Sequence, residues 1–189
     1  SSIIATRSGG GGGGGGGDEE LLKKIADDVL DKLPPDFDQE KAGIKYPTDP
    51  MESMNTVLKQ ELIRFVKLTS TIRASLKQLK LAMVGLVVMS AELDAVAAAL
   101  SIGLVPGMWA GVSYPNLKPL GSYMTDLYER LQFFQNWIDN GAPTCFWFSG
   151  FFFQPSFMTG TLQNFARKYV YPIDSCTLEY IFQKEGLED

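Results

Sequence analysis

The sequence predicts a mainly α protein, a bundle of about five to six helices with one long helix and a short strand at its end. Two observations carry this prediction. Apolar residues recur every three or four positions in four separate stretches, which is the spacing of amphipathic helices. Prolines and glycines divide these stretches, and an apolar content of 45% in 189 residues is enough for a hydrophobic core.

The first helix is predicted from Asp18 to about Leu33, where an acidic first turn suits the helix dipole and Pro34-Pro35 ends the apolar periodicity. Nine consecutive glycines, Gly9–Gly17, precede it and predict a flexible loop. The acidic residues that follow the glycines argue against a phosphate-binding loop, which needs a lysine and a hydroxyl residue there. Residues 36–48 are expected to form a polar connector.

A long second helix is predicted from Asp49 as N-cap, with Pro50 at its first position. Apolar residues continue at helical spacing from Met54 to Met83, about thirty residues or ~45 Å at 1.5 Å per residue. Its other face is interpreted as a solvent-facing charged stripe of Lys59, Glu61, Arg64, Lys67, Arg73, Lys77 and Lys80.

Further elements follow at glycine and proline boundaries. Residues 83–89 have the composition of a segment buried on all sides, and a third helix is expected over about Ser90–Leu100, ending at Gly103. Residues 104–119 are predicted as a loop, and a fourth helix is expected over about Leu120–Asn140 with Gly141 as its cap. A buried extended segment at residues 145–149 then leads to a fifth helix at about Pro155–Lys168.

The sequence is expected to end in a half-buried strand, because apolar and polar residues alternate over Cys176–Phe182. A lone strand has no ladder partner. This pattern predicts that the sequence is a piece of a longer polypeptide.

Seven aromatic residues fall within twelve positions, and each such ring removes ~150–250 Å² from water when it is buried. We predict that these rings and two tryptophans form a structural packing core at a domain junction. The predicted core residues are Trp109, Trp137, Phe146, Trp147, Phe148, Phe151, Phe152, Phe153 and Phe157.

Composition argues against several classes of function. The net charge of −5, without a basic cluster, argues against nucleic-acid binding, and the uncharged stretches are too short or too broken to cross a membrane. The sequence has no histidine, and Cys145 and Cys176 lack metal-site spacing and are expected to be buried free thiols in a reducing compartment.

Two groups of charged residues are candidates for catalysis: Asp126, Glu129 and Arg130, and Arg167 with Lys168. At this spacing such charges usually form surface pairs on a helix. We therefore predict no catalytic, cofactor-binding or metal-binding residue in this protein.

Four motifs resemble the C-terminal region of axonemal dynein heavy chains. They are ESMNTVLKQELIRF at Glu52–Phe65, GLVVMSAE at Gly85–Glu92, SYPNLKPLGSY at Ser113–Tyr123, and the aromatic segment that begins at Trp147 and leads through QNFARKY to Pro172–Asp174. The resemblance implies three parts: residues 1–50 in the small helical subdomain of the last AAA+ module, residues 51–175 in the helical part of the C-terminal domain, and residues 176–189 at the start of the β-rich lobe.

The resemblance also implies a function. It points to a structural and regulatory cap on the ring of an ATP-driven, minus-end-directed microtubule motor in the axoneme of cilia or flagella. Partners would be the other AAA+ modules and the linker of the same heavy chain and the subunits of the dynein complex, with ATP and Mg²⁺ bound in other modules and the microtubule bound only through the stalk. Arg64 and Arg73 are conceivable sensor arginines for ATP, but we interpret both as solvated or interface charges. The alternative is a free-standing helical adaptor protein.

Overall fold

The computed structural model describes residues 15–181, and within this range it is a mainly α bundle, as predicted. The helices are α1 (Gly15–Lys32), α2 (Gln39–Lys45), α3 (Ser53–Met83), α4 (Ala91–Ser101), α5 (Gly107–Ala110), α6 (Leu120–Asn140) and α7 (Gln154–Tyr169). The last three glycines of the predicted flexible loop belong to α1, and the first six lie outside the described residues. No helix in the described range is both long enough and apolar enough to cross a membrane.

Helix α3 is the central element, because it contacts each of the other six helices. Its buried face carries Leu58, Leu62, Phe65, Leu68, Ile72, Leu76 and Leu79, each at most 1% exposed. Helix α1 lies antiparallel to α3: Lys80 pairs with Asp27, whereas Arg73, earlier on α3, pairs at 2.7 Å with Asp36, which follows α1. The predicted apolar stripe of α3 thus forms the surface against which the other helices pack.

Three helices end in the same hydrogen-bonded turn, in which one residue adopts a left-handed conformation. Gly85 (φ 75°) follows α3 and Gly103 (φ 72°) follows α4, as expected for a residue without a Cβ. At the end of α7 the same position is occupied by Val170 (φ 57°), with Tyr171 N–H bonded to the Ala166 carbonyl at 2.9 Å. A β-branched residue is strained there, since its Cβ approaches the following carbonyl.

Remote side chains bind the end of α6. The Lys45 ammonium donates to the carbonyls of Ile138 at 2.6 Å and Asp139 at 2.7 Å, and the Tyr46 hydroxyl donates to Trp137 at 2.7 Å. The Lys45 contacts satisfy two carbonyls at the end of the helix, and the lysine charge suits the negative end of the helix dipole. The Trp137 carbonyl also accepts from Gly141 N–H at 3.0 Å. The contacts of Lys45 and Tyr46 fix the connector after α2 against α6.

The structure corrects two predictions in the first third of the sequence. Residues 36–48, expected as a connector, contain α2, because the Asp38 carboxylate caps it by accepting from Lys41 N–H at 2.9 Å. Helix α3 begins at Ser53 with Glu52 as its cap, whereas Asp49 accepts from Met51 N–H at 2.8 Å in the preceding turn.

Other differences lie later in the sequence. Residues 176–181 form no strand, since no described strand lies beside them, and Phe182 lies outside the described residues. Both cysteines are free, but Cys145 is exposed and Cys176 only half-buried. Residues 145–149 are half-buried or exposed and enter a 3-10 turn at Phe148–Gly150. Residues 84–89, expected to be buried, are exposed after the turn at Gly85.

Candidate functional site

The best-defined site in the described structure is the aromatic junction, residues 146–157, which connects α6 to α7 and packs against α3. Of the nine predicted core residues, Trp109, Trp137 and Phe151 are fully buried. Five are half-buried: Phe146, Trp147, Phe148, Phe152 and Phe157. Phe153 is 47% exposed.

The structure brings seven of these nine rings into one network of ring contacts, which includes Phe65 of α3 and Phe133 and Phe134 of α6. Its tightest contact joins Phe151 and Phe157, whose ring centroids are 4.6 Å apart. Trp109 lies elsewhere, on α5, and its indole N–H donates to Ser75 of α3 at 2.8 Å. Phe153 lies outside the network, with its ring 5.2 Å from the Arg64 guanidinium.

Glu61 of α3 fixes the backbone of the aromatic junction. Its carboxylate is fully buried and accepts hydrogen bonds from the main-chain N–H groups of Phe152 and, at 3.0 Å, Phe153. Arg64 pairs with the same carboxylate at 3.2 Å. The interpretation of Glu61 as part of a solvent-facing stripe is therefore wrong, because this side chain turns inward to meet two amide groups.

Burial raises the pKa of Glu61, although the two main-chain donors and Arg64 oppose that shift. The buried position disfavours the charge of the carboxylate. The carboxylate nevertheless stays there because it satisfies two N–H groups that would otherwise be buried without a partner. Its position fixes the path of the backbone as it enters α7.

Arg130 of α6 is the second anchor of the junction. Its guanidinium lies 4.0 Å from the ring centroid of Tyr114 and 5.4 Å from that of Trp147, so it is held between two aromatic residues. It donates to the Asp126 carboxylate at 2.7 Å and approaches the Phe151 carbonyl at 3.5 Å.

Asp126 and Arg130 are both buried, so their interpretation as a surface pair is wrong, whereas Glu129 is exposed as expected. Burial raises the pKa of Asp126, but hydrogen bonds from Lys118 and Arg130 outweigh that effect and leave the pKa lowered. The carboxylate is thus held charged between two cations.

A third set of polar contacts joins the start of α3 to α7. Ser53 N–H donates to the Asn164 side chain at 2.8 Å, and the Ser53 hydroxyl bonds to Gln163 at 2.8 Å. Arg167, one of the catalytic candidates, donates to the Ser53 hydroxyl at 2.6 Å. A Cβ placed on Gly160 would lie 3.0 Å from Val57, so the two helices approach closely here.

These contacts define what the site can do. The buried charges bind main-chain groups and each other, and this arrangement positions one segment of the backbone against two helices. The two candidate sensor arginines bind acids of the same protein, Arg64 to Glu61 and Arg73 to Asp36. Over residues 15–181 there is no cluster of three side chains that could hold a metal ion.

Sequence reasoning named Glu61 and Arg130 but missed that both are buried anchors, although a signal for this was present. Glu61 lies in the pattern Leu58-x-x-Glu61-Leu62-x-x-Phe65, and Arg130 lies in the same pattern, LxxRLxxF, at residues 127–134. In both cases the apolar residues three positions before, one position after and four positions after the charged residue are buried. Residues at this spacing share one face of a helix, so the charged residue lies on the buried face. The two phenylalanines of these patterns meet at 5.2 Å between ring centroids.

Comparison with known proteins identifies the family of this sequence. A family model described as the C-terminal domain of the dynein heavy chain matches residues 1–189. The protein is 54% identical over 160 residues to dynein axonemal heavy chain 3 of Mus musculus, which is 85% of this sequence and 4% of that relative. It is 54% identical over 160 residues to dynein axonemal heavy chain 12 of Mus musculus, covering 85% of this sequence and 5% of that protein.

A third relative, dynein axonemal heavy chain 1 of Rattus norvegicus, is 48% identical over 160 residues, again covering 85% of this sequence and 4% of the relative. The protein therefore spans only 4–5% of the length of these relatives. The match of the family model over all 189 residues and the level of identity together establish its family. This protein belongs to the family of C-terminal domains of dynein heavy chains.

Proposed function

We propose that this protein is the C-terminal segment of an axonemal dynein heavy chain. In this proposal it caps the AAA+ ring of an ATP-driven, minus-end-directed microtubule motor in cilia or flagella and performs no catalytic step itself. The family match and the relatives' names, which are all dynein axonemal heavy chains, support the assignment to a motor. ATP and Mg²⁺ would bind in other modules, and the microtubule would bind through the stalk.

The observation that carries the capping role is the way buried charge is used at the aromatic junction. Glu61 and Arg130 bind main-chain groups of the same short segment from two different helices. A buried charge is costly unless it is paired, so both side chains favour this arrangement of the segment. The junction is therefore suited to hold α3, α6 and α7 as one rigid body.

A rigid body that bridges ring modules would favour some of their relative orientations over others. Its effect on the motor would be a shift in the populations of ring conformations, set by how well each one fits the cap. The division of the sequence at residues 50 and 175 is part of this proposal, as are its contacts with the other AAA+ modules, the linker and the subunits of the dynein complex.

The proposal is tested by Gly150→Ala in the full heavy chain. A Cβ at Gly150 would lie 2.6 Å from two ring atoms of Trp147, so this indole, which lies 5.4 Å from the Arg130 guanidinium, must shift. Gly43→Ala on α2 is the matched control, because a Cβ there would meet its nearest neighbour at 3.9 Å.

We expect Gly150→Ala to change the velocity of microtubule gliding and the ATPase rate stimulated by microtubules, and Gly43→Ala to leave both unchanged. A Gly150→Ala motor that is demonstrably loosened at the junction, by proteolysis between α6 and α7, and still moves at the wild-type velocity would refute the capping role. The adaptor alternative is tested separately, by the mass of the native polypeptide that carries this sequence.

A further inference from the structure

The loop between α5 and α6, residues 111–119, reaches from the surface of the protein to the buried pair of Asp126 and Arg130. The Lys118 ammonium donates to Asp126 Oδ1 at 2.7 Å, and the lysine side chain is 52% exposed whereas that of Asp126 is 9% exposed. Tyr114 of the same loop lies over the Arg130 guanidinium at 4.0 Å. This loop therefore connects the solvent with two buried charges.

The backbone of Lys118 is fixed where the side chain can reach this carboxylate. The Asn116 side chain accepts from Lys118 N–H and donates to the Lys118 carbonyl, both at 3.1 Å. Pro119 follows and caps α6, and Leu120 N–H at the start of that helix donates to the Gly103 carbonyl at 2.9 Å. The pairing of Lys118 with Asp126 is thus built into the loop.

Three polar contacts in series lead from Lys118 to the aromatic junction. Asp126 accepts from Lys118 through Oδ1 and from Arg130 Nε–H through Oδ2, each at 2.7 Å. Arg130 Nη1 in turn approaches the Phe151 carbonyl at 3.5 Å. This last contact is the longest of the three, so a shift of the guanidinium would break it first. Contiguous networks of this kind can carry energetic coupling between distant parts of a protein.

We infer that Lys118 is a surface control point for the aromatic junction, acting through Asp126 and Arg130. When Lys118 leaves, Asp126 Oδ1 becomes free to accept a second N–H of the same guanidinium, because arginine and carboxylate groups favour bidentate pairing. This pairing turns Arg130 toward Asp126 and away from the Phe151 carbonyl, which loosens the junction. An acidic group of a partner that draws Lys118 away from Asp126 would have the same effect.

The inference adds a means of regulation to the junction, and its consequence for a motor rests on the proposed function. The coupling itself is a property of contacts within the described residues. It can therefore be tested by a measurement on the junction backbone that does not depend on motor activity.

The test measures amide hydrogen exchange of the full heavy chain, in a peptide that contains Phe152 and Phe153. The N–H groups of these residues are bonded to the Glu61 carboxylate, so they exchange when the junction opens. We expect Lys118→Met to raise their exchange rate by roughly threefold or more, as for residues coupled through one network. Lys118→Arg should exchange at the wild-type rate, because it retains the cation.

Lys24→Met is the matched control. Lys24 is also an exposed lysine paired with a carboxylate at 2.7 Å, that of Glu20 on α1. This change should leave exchange in the junction peptide as in the wild type. A double variant completes the design: Lys118→Met should have a much smaller effect beside Asp126→Asn, because the charge that links Lys118 to Arg130 is then absent.

Wild-type exchange of the junction peptide in Lys118→Met would overturn the inference, as would equally fast exchange in Lys118→Arg. Faster exchange that extends equally to peptides of α1 would also overturn it, because that result indicates lower global stability. An undiminished effect of Lys118→Met beside Asp126→Asn would reject the route through Asp126 and with it the inference.

The outcome is separate from the gliding test of the cap. Faster exchange in Lys118→Met together with wild-type gliding of a loosened Gly150→Ala motor would retain the control point and reject the capping role. Altered gliding of Gly150→Ala with wild-type exchange in Lys118→Met would do the opposite.

Discussion

Replacing Glu61 by glutamine should destabilise the fold much more than the same change at an exposed glutamate. Glu61 accepts two main-chain N–H groups and the Arg64 guanidinium from a fully buried position. Glutamine has one acceptor oxygen, so one of the N–H groups would face its amide NH₂ and lose its partner. The change therefore removes one charged hydrogen bond and weakens a second.

The magnitude follows from these contacts. A hydrogen bond to a charged group contributes ~1.5–3 kcal/mol, and a neutral one contributes ~1 kcal/mol. The loss is partly offset because glutamine does not carry the desolvation cost that raises the pKa of Glu61. We expect a net loss of about 2 kcal/mol in the free energy of unfolding, or roughly 4–8 °C in Tm for a protein of this size.

The assay is urea and thermal unfolding of the 189-residue protein, with Glu129→Gln on the exposed face of α6 as control. The control should change the free energy of unfolding by less than about 0.5 kcal/mol. If Glu61→Gln unfolds at the same midpoint as Glu129→Gln, the hydrogen bonds to Phe152 and Phe153 do not stabilise the junction and the reasoning is wrong.

The pH dependence of the free energy of unfolding gives a second test of Glu61. Because the folded-state pKa of Glu61 is raised above 4.5, the folded protein binds this proton more tightly than the unfolded protein does. The stability linked to this proton is fully present below pH 4.5 and is lost as the pH rises through the folded-state pKa. The wild type should accordingly lose stability as the pH rises through that pKa, and Glu61→Gln, which has no carboxyl group at this position, should lack this loss.

Three further predictions concern other parts of the fold. Val170→Gly should raise the free energy of unfolding by about 0.5–1 kcal/mol in urea titrations, because glycine removes the left-handed strain at the end of α7 and Val170 is exposed; a loss of stability would contradict this account. Phe151→Ala should lower the free energy of unfolding by about 3–5 kcal/mol and Phe153→Ala by under about 1 kcal/mol, since only the ring of Phe151 is fully buried. Equal losses in the same assay would show that the ring network is not the core. Asp126→Asn should make the free energy of unfolding less dependent on pH in acid, because the folded-state pKa of Asp126 lies below 3.8 and its contribution is lost as the pH falls through that pKa. If the acid unfolding curves of wild type and variant have the same pH dependence, this account of Asp126 is wrong.

Sequence periodicity located the helices well where an apolar stripe was bounded by strong signals. Helix α6 begins and ends at the predicted residues, Leu120 and Asn140, and Gly141 follows it as expected. Helix α2 was missed because it is only seven residues long, too short for a periodic pattern to stand out.

The direction in which a charged side chain points was harder to predict from the sequence. Lys59, Glu61 and Arg64 lie within six positions on α3, and composition treats them alike. Glu61 turns inward because the backbone returns about ninety residues later and places two N–H groups, those of Phe152 and Phe153, beside it. A periodic pattern contains no information about such a distant partner.

The sequence by itself determined the fold class, the order of the main helices and the family, because helical periodicity, caps and motifs are local and can be read from neighbouring residues. Only the tertiary structure decided which charges are buried, which aromatic rings form the junction and which apolar loop remains uncovered. Those properties depend on contacts between segments far apart in the sequence, where burial and pairing, rather than residue type, set the free energy.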